Sequence, residues 1–300
     1  MLVTQQPVLK RFWYPVMPVD HLVAQPQPFQ LLGQPLVLWL DADGQPVVVT
    51  DRYCHRSAQL PQAEDPVYRW AIRYGYVWVC LADDPLLPIP HIPEAEDPQM
   101  RLIPQFYEPW HCSGLRLMEN SFDNAHFSFV HANSFGNLQQ PQPAASELTL
   151  LEYGLQVRST VPVVNPPNQR QNLKIADEMT LRHVVSTWYM PFSRTLKITY
   201  PNGLMHLIYT AATPVQDDIS QVVQFCVRND TEADAKAADI VAFDRQVTEE
   251  DKLVLETTDW DTPLDIHAEQ HMPSDQPGIM MRRKLAALLK AHGEVEQRLP

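Results

Sequence analysis

The pattern of apolar and polar positions divides the chain into two stretches of different character. In the first hundred residues, short apolar runs alternate with turn signals. Phe12-Trp-Tyr-Pro-Val16 is an aromatic stretch that its X-Pro bond biases to extended geometry. Phe29 to Gly33 follows, then two runs, Pro35 to Leu40 and Pro46 to Thr50. The Asp41-Ala-Asp-Gly44 turn between those runs predicts a hairpin, and together the runs predict a small antiparallel β unit. Pro85 to Pro98, rich in proline and acidic residues, reads as a surface connection, which places a domain boundary between residues 1–100 and 101–300.

Beyond the boundary the strand signals lengthen. They cover 147–152 and 155–161 around Tyr153-Gly154, then 178–190, then 195–200 and 205–213 around Pro201-Asn-Gly203, and finally 221–228. This predicts an antiparallel meander of five or six strands. The alternation in Thr195-Leu-Lys-Ile-Thr-Tyr200 predicts a sheet with one face half exposed. Two helices are expected after the meander. One runs roughly over 232–257, with Ile240, Phe243, Val247 and Leu255 apolar, and one over 278–292, with Leu285, Leu288 and Leu289. A curved antiparallel sheet with helices on one face is an α+β arrangement that encloses a hollow for an apolar ligand.

Composition narrows the function. The net charge is −13, from 23 basic and 36 acidic residues, which argues against a nucleic-acid partner because such a partner needs a basic footprint. The four cysteines, Cys54, Cys80, Cys112 and Cys226, have no paired spacing and suggest neither a disulfide framework nor a zinc site. Met-Leu-Val-Thr-Gln-Gln-Pro at the start has the form of neither a signal nor a transit peptide, and no apolar run approaches the ~20 residues that span a bilayer. A soluble, cytoplasmic protein without a membrane span is expected.

The candidate chemistry is concentrated in Glu119-Asn-Ser-Phe-Asp-Asn-Ala-His-Phe-Ser-Phe-Val-His131. Phe122, Phe127, Phe129 and Val130 suggest a buried setting for its two histidines and two carboxylates. On a helix, at about 100° per residue, Glu119, Asp123 and His126 would share one face, whereas His131 would point about 140° away from His126. Either a break or a π-bulge lies between the histidines, or they do not act together. Two imidazoles and one carboxylate from elsewhere would make a facial triad for iron(II).

The pattern Glu-x3-Asp-x2-His-x4-His resembles the mononuclear-iron signature of the Rieske-type non-haem iron oxygenases. The resemblance extends over nearly the whole chain, through the Phe-Trp-Tyr-Pro start, Thr213-Pro-Val215, Gly278-Ile-Met-Met-Arg-Arg283 and Val247-Thr-Glu-Glu-Asp-Lys-Leu-Val-Leu-Glu256. It implies a Rieske-like β domain followed by a helix-grip catalytic domain. It also implies mononuclear Fe(II) on His126, His131 and Asp251, with dioxygen as co-substrate and Glu119 and Asp123 as further site residues. Glu249 and Glu250 point to other faces of a helix. In the family, the residue at Asp123 lies between the iron and the cluster of a neighbouring subunit; the alternative here is that it orients His126.

The N-terminal motif departs from the family. Its pattern is Asp-x-Cys-x-His-Arg-x-Ala-x-Leu, against Asp51-Arg-Tyr-Cys-His-Arg-Ser-Ala-Gln-Leu60 here. His55 is in register, but Tyr53 stands where a cluster cysteine belongs, and the second half-motif, Cys-x2-His, is missing. A Rieske centre needs two cysteines and two histidines. The expectation is a truncated, degenerate Rieske domain without a [2Fe–2S] cluster. Two readings follow. One is an oxygenase component that hydroxylates or demethylates an apolar or aromatic small molecule, fed by a Rieske-bearing paralogue or a reductase, in a trimer or mixed trimer. The other is a non-catalytic binding protein that keeps the hollow.

Overall fold

The structure, a computed structural model, describes residues 1–51 and 67–299. Tyr53 and His55 therefore lie outside the described residues. The first stretch forms β1 (Tyr14–Pro18), β2 (Gln27–Leu31), β3 (Gln34–Leu40), β4 (Pro46–Thr50), β5 (Arg69–Arg73) and β6 (Tyr76–Cys80). They assemble into two antiparallel three-stranded sheets, ordered β2-β3-β4 and β1-β6-β5. The expected hairpin is β3–β4, in register from Leu36↔Thr50 to Leu40↔Pro46. Its turn is fixed by Asp41, whose Oδ1 accepts the N–H of Asp43 and of Gln45 at 2.9 and 2.8 Å, while Gly44 takes φ +73°. The proline-rich connection is not wholly irregular, since α1 (Pro93–Glu96) makes one helical turn there.

The second stretch begins with β7 (Arg101–Trp110), followed by α2 (Gly114–Phe122) and α3 (Phe127–Val130). Next come β8 (Ser146–Leu151), β9 (Gly154–Val164), α4 (Pro167–Leu173), β10 (Met179–Tyr189), β11 (Ser193–Thr199), β12 (Met205–Pro214) and β13 (Ser220–Arg228). The chain ends with α5 (Ala237–Leu255) and α6 (Gln276–Ala291). The sheet has seven antiparallel strands in the order β7-β13-β12-β11-β10-β9-β8. The additional strand is β7, which carries Pro104 and Pro109. Proline weakens a strand signal in sequence, yet an edge strand admits it because one side of its backbone needs no ladder partner.

The hydrophobic core runs across the expected boundary. Phe12, Val16, Leu38 and Val79 belong to the same buried cluster as Trp110, Met118, Trp188 and Leu285. Tyr74, Tyr76 and Trp78 pack on Tyr209 and Phe225 of the large sheet, with the Tyr209 and Phe225 rings stacked at 4.9 Å. Burying a side chain such as Phe225 contributes roughly 1.5–3 kcal/mol. Hydrogen bonds add register: Thr213 Oγ1 donates to the Pro15 carbonyl at 2.6 Å, and Tyr107 Oη donates to that of Val16 at 2.8 Å. The inner face of the large sheet and α5 enclose a cavity of about 650 Å³. Val161, Val184, Leu196, Ile198 and Ile208 line it from the sheet, and Phe243 and Val247 from the helix. No helix among the described residues is long and apolar enough to cross a membrane.

Candidate metal centre

Helix α2 delivers the site and then stops. Ser113 caps its start by accepting the Arg116 N–H at 3.3 Å, and the helix ends at Phe122 with Asp123 as its C-cap. Asp123 leaves helical geometry at ψ 127°, so the single helical face expected for Glu119, Asp123 and His126 does not form. The Asp123 carboxylate instead organises the turn. Its Oδ1 accepts the Ala125 N–H at 2.8 Å, and its Oδ2 lies 3.1 Å from His126 Nδ1. One helical turn, α3, separates the two histidines, with His126 at its N-cap and His131 at its C-cap. Of the expected devices it is a break rather than a π-bulge that turns both rings inward. The loop after His131 closes tightly on this turn. A Cβ on Gly136 would sit 2.3 Å from the Phe127 carbonyl oxygen and 2.8 Å from that of His131, so only glycine fits.

The rings converge. His126 Nε2 and His131 Nε2 are 3.2 Å apart, and Asp251 Oδ1 on α5 is 3.4 Å from the first and 3.3 Å from the second. Metal–ligand bonds of about 2.1 Å give donor separations of roughly 3.0–3.4 Å at angles between 90° and 109°, so these atoms suit one ion. The outer nitrogens fix the tautomers that this requires. His126 Nδ1 faces Asp123, and His131 Nδ1 faces Glu250 Oε2 at 2.8 Å, which leaves both Nε2 lone pairs aimed at the common point. Asn120 Nδ2 donates to Asp251 Oδ1 at 3.0 Å, and Ser134 Oγ donates to Glu250 Oε2 at 2.7 Å. The cluster attracts positive charge. Burial lowers the pKa of His126, but hydrogen bonds and charge from Asp123 and Asp251 outweigh it and carry the value up to about 9. Asp251 is held far below the usual carboxylate range: burial opposes ionisation, and the two histidines outweigh it.

Several expected roles change. Glu119, expected as a further site residue, has its carboxylate on the side of α2 turned to α6, where it accepts from Arg282 Nη2 at 2.9 Å and from Arg116 Nη1 at 3.3 Å. It lines a separate, smaller cavity, and among the described residues it makes no hydrogen bond to the histidines or Asp251. Glu250, set aside because it lies one helical step from Asp251, reaches His131 through its extra methylene, since the outer nitrogen of that ring lies to the side of the triad. Glu249 does point elsewhere, to Arg245 at 3.3 Å. Asn120 was visible in the motif, but nothing in its spacing marks it as a partner of Asp251. Phe129, expected in a buried setting, is 64% exposed. Of the unassigned histidines, His183 is exposed and His206 lines the cavity, 3.2 Å from Asp244. His206, Asp244 and Cys226 form a second group of potential donors. Burial pushes the Cys226 thiol well up, and Asp244 also accepts from Gln105, while His206 Nε2 is buried without a hydrogen-bond partner.

The model of the vanillate O-demethylase oxygenase C-terminal domain matches residues 110–291, and that of the Rieske [2Fe-2S] domain matches residues 12–73. The chain belongs to the Rieske-type non-haem iron oxygenases, in the family of the vanillate O-demethylase oxygenase C-terminal domain. It is 25% identical to the methylxanthine N1-demethylase NdmA of Pseudomonas putida over 337 aligned residues, covering 96% of this chain and 92% of that one. To the methylxanthine N3-demethylase NdmB of the same organism it is 24% identical over 336 residues, covering 94% and 90%. The solved structure of Pseudomonas putida CBB5 NdmA with caffeine superimposes at TM-score 0.76, with 22% identity and 97% and 94% coverage, and so shares the fold. A Rieske domain is therefore present as a family match. The expectation that the chain lacks a [2Fe–2S] cluster gains no support from that match, whose motif residues fall largely outside the described ones.

Proposed function

We propose that this chain is the oxygenase component of a demethylating or hydroxylating system for an apolar or aromatic small molecule, with mononuclear iron(II) on His126, His131 and Asp251. The observation that carries this reading is the triangle of three donor atoms, 3.2–3.4 Å on its sides, at the wall of a 650 Å³ cavity. Iron at that position would supply redox chemistry with dioxygen, inserting one oxygen atom into a substrate C–H bond and releasing the other as water. The balance requires two electrons and two protons from outside the substrate. Glu250 and Asp123 hold the imidazoles in the ligating tautomer, Asn120 holds Asp251, and the apolar lining excludes water from the reacting face. The N-demethylase names of the two relatives support a methyl group on a heteroaromatic ring as the position attacked.

The electron supply follows from the donor set of residues 1–100, the proposed N-terminal domain. Its cysteines are Cys54 and Cys80, and its histidines His21, His55 and His91. Cys80 is fully buried in β6 with its thiol directed to the Lys10 carbonyl, His21 sits edge-on to Tyr107, and His91 pairs with Glu96. Among the described residues these groups engage different partners, and residues 1–100 hold only two cysteines, which supports the reading that this chain draws electrons from outside itself. We infer that a cluster-bearing paralogue in a mixed trimer, or a reductase, delivers electrons through Asp123, whose side chain is 28% exposed. A cytoplasmic location fits such a partner. The test is turnover: iron-loaded chain, supplied with a cluster-bearing relative and its reductase, should release formaldehyde from a methylated aromatic compound. Stoichiometric iron without turnover under any donor would favour the binding-protein reading.

A further inference from the structure

Three arginines are buried among the described residues, and each has partners in the fold. Arg282 is 2% exposed and bonds Glu119, Glu269 and the Pro263 carbonyl. Arg228 is bonded to Asp230 and the Asn172 carbonyl. Arg182 donates from Nη2 to Asn165 and lies over the rings of Phe135 and Tyr200, with its Nε alone left without a hydrogen-bond partner. Arg194, on β11, is part-buried and lines the cavity with two of its three nitrogens, Nε and Nη1, shielded from solvent and without a hydrogen-bond partner. Its neighbours across the sheet offer nothing. It stands between Trp188 and Thr210, and the Thr210 hydroxyl donates to Gln224 Oε1 at 2.9 Å, while the Gln224 amide donates on to Gln105. The carboxylate whose charge it feels is Asp251, already committed to two histidines and Asn120. Burial pulls Arg194 down to about 10 and Asp251 opposes this, so the guanidinium stays charged at neutral pH. Two shielded donors of a charged group left unmet are costly unless a ligand supplies the acceptor.

We propose that Arg194 is the anchor for an anionic substituent of the substrate, so that this cavity takes an apolar, aromatic-sized molecule bearing a carboxylate. The inference rests on the reading of this cavity as the substrate site, and it deepens that reading by naming charge as the selecting feature. A neutral methylxanthine would leave these donors unmet. A carboxylate on Arg194 would fix the ring against Leu196, Ile198 and Ile208 and set which substituent faces the three donors.

The experiment compares naphthalene-2-carboxylate with its amide, which has nearly the same shape and no charge, by calorimetric titration of the iron-loaded protein. The wild type should prefer the carboxylate by about 10–100-fold, the range expected of a charged hydrogen bond out of water, and Arg194→Gln should abolish the preference. Without ligand, Arg194→Gln should melt at or above the wild type, because a part-buried charge with unmet donors is removed. Arg194→Lys, which keeps the charge, should retain the preference in weakened form, and it carries the test if the glutamine variant does not fold. Equal affinity of the wild type for acid and amide would overturn the proposal, as would a preference that survives in Arg194→Gln, the result expected if the carboxylate ligates iron. Failure of the wild type to hold iron would sink the oxygenase reading while leaving the carboxylate preference of Arg194 measurable.

Discussion

Two stretches of this chain carry the marks of iron chemistry, and they are preserved on different terms. Around residues 119–131 and on α5, every donor has a supporting partner: Asp123 for His126, Glu250 for His131 and Asn120 for Asp251. In residues 12–80 the strands and their aromatic packing persist, while the sequence from Asp51 to Val67 offers one cysteine and one histidine. The difference shows that a β framework and a metal site depend on different forces. Tyr76, Trp78 and Val79 remain in place because they bury apolar surface against the second sheet, whatever happens to the donors. A metal centre depends instead on particular donor atoms, and packing does not supply them.

The comparison can be broken most directly at the donors themselves. Asp251→Ala should lower iron from about one per chain to below roughly a tenth, whereas Glu249→Ala should leave it unchanged, as read by metal analysis. Acid-labile sulfide sharpens the other half. Anaerobically purified protein should contain none, and a stoichiometric amount would show that the N-terminal domain holds a cluster after all.

A smaller effect separates the two sides of α2. Glu119→Ala leaves Arg282 with only Glu269 as a carboxylate partner and should destabilise the fold by about 2–3 kcal/mol, lowering the melting temperature by roughly 5–10 °C with iron retained. Asn120→Ala should do the reverse, weakening iron binding about tenfold with less than about 1 kcal/mol lost in stability. If Glu119→Ala loses iron at unchanged stability, the assignment of Glu119 to the ion-pair network is wrong.

The smallest effect lies on the acid limb. Burial raises the pKa of Glu269, but Arg116 and Arg282 outweigh it and bring the value to about 2. A depressed carboxylate contributes stability above its unfolded value, near 4.5, and that contribution is lost as pH falls through about 2. Glu269→Gln should therefore flatten the loss of stability over that interval in urea titrations at stepped pH, and an unchanged slope would show that the pair contributes nothing there.

Local patterns were legible without coordinates because they depend on neighbours in the chain. The β3–β4 hairpin follows from Asp41 and Gly44, and the two long helices from the spacing of Ile240, Phe243, Leu285 and Leu288. The family resemblance carried by 119–131 and 247–256 implied the three residues whose donor atoms lie together in the fold. What the sequence could not carry was decided at a distance. Glu119 and Asp123 are four residues apart and look alike, yet one faces Arg282 across 163 residues and the other faces His126 across three. Glu250 and Arg194 acquired their roles in the same way, one from a ring brought to it by α3 and the other from sheet neighbours that left it without an acceptor. Side-chain periodicity tells which face a residue occupies. Only the packed fold decides which charge is already standing there.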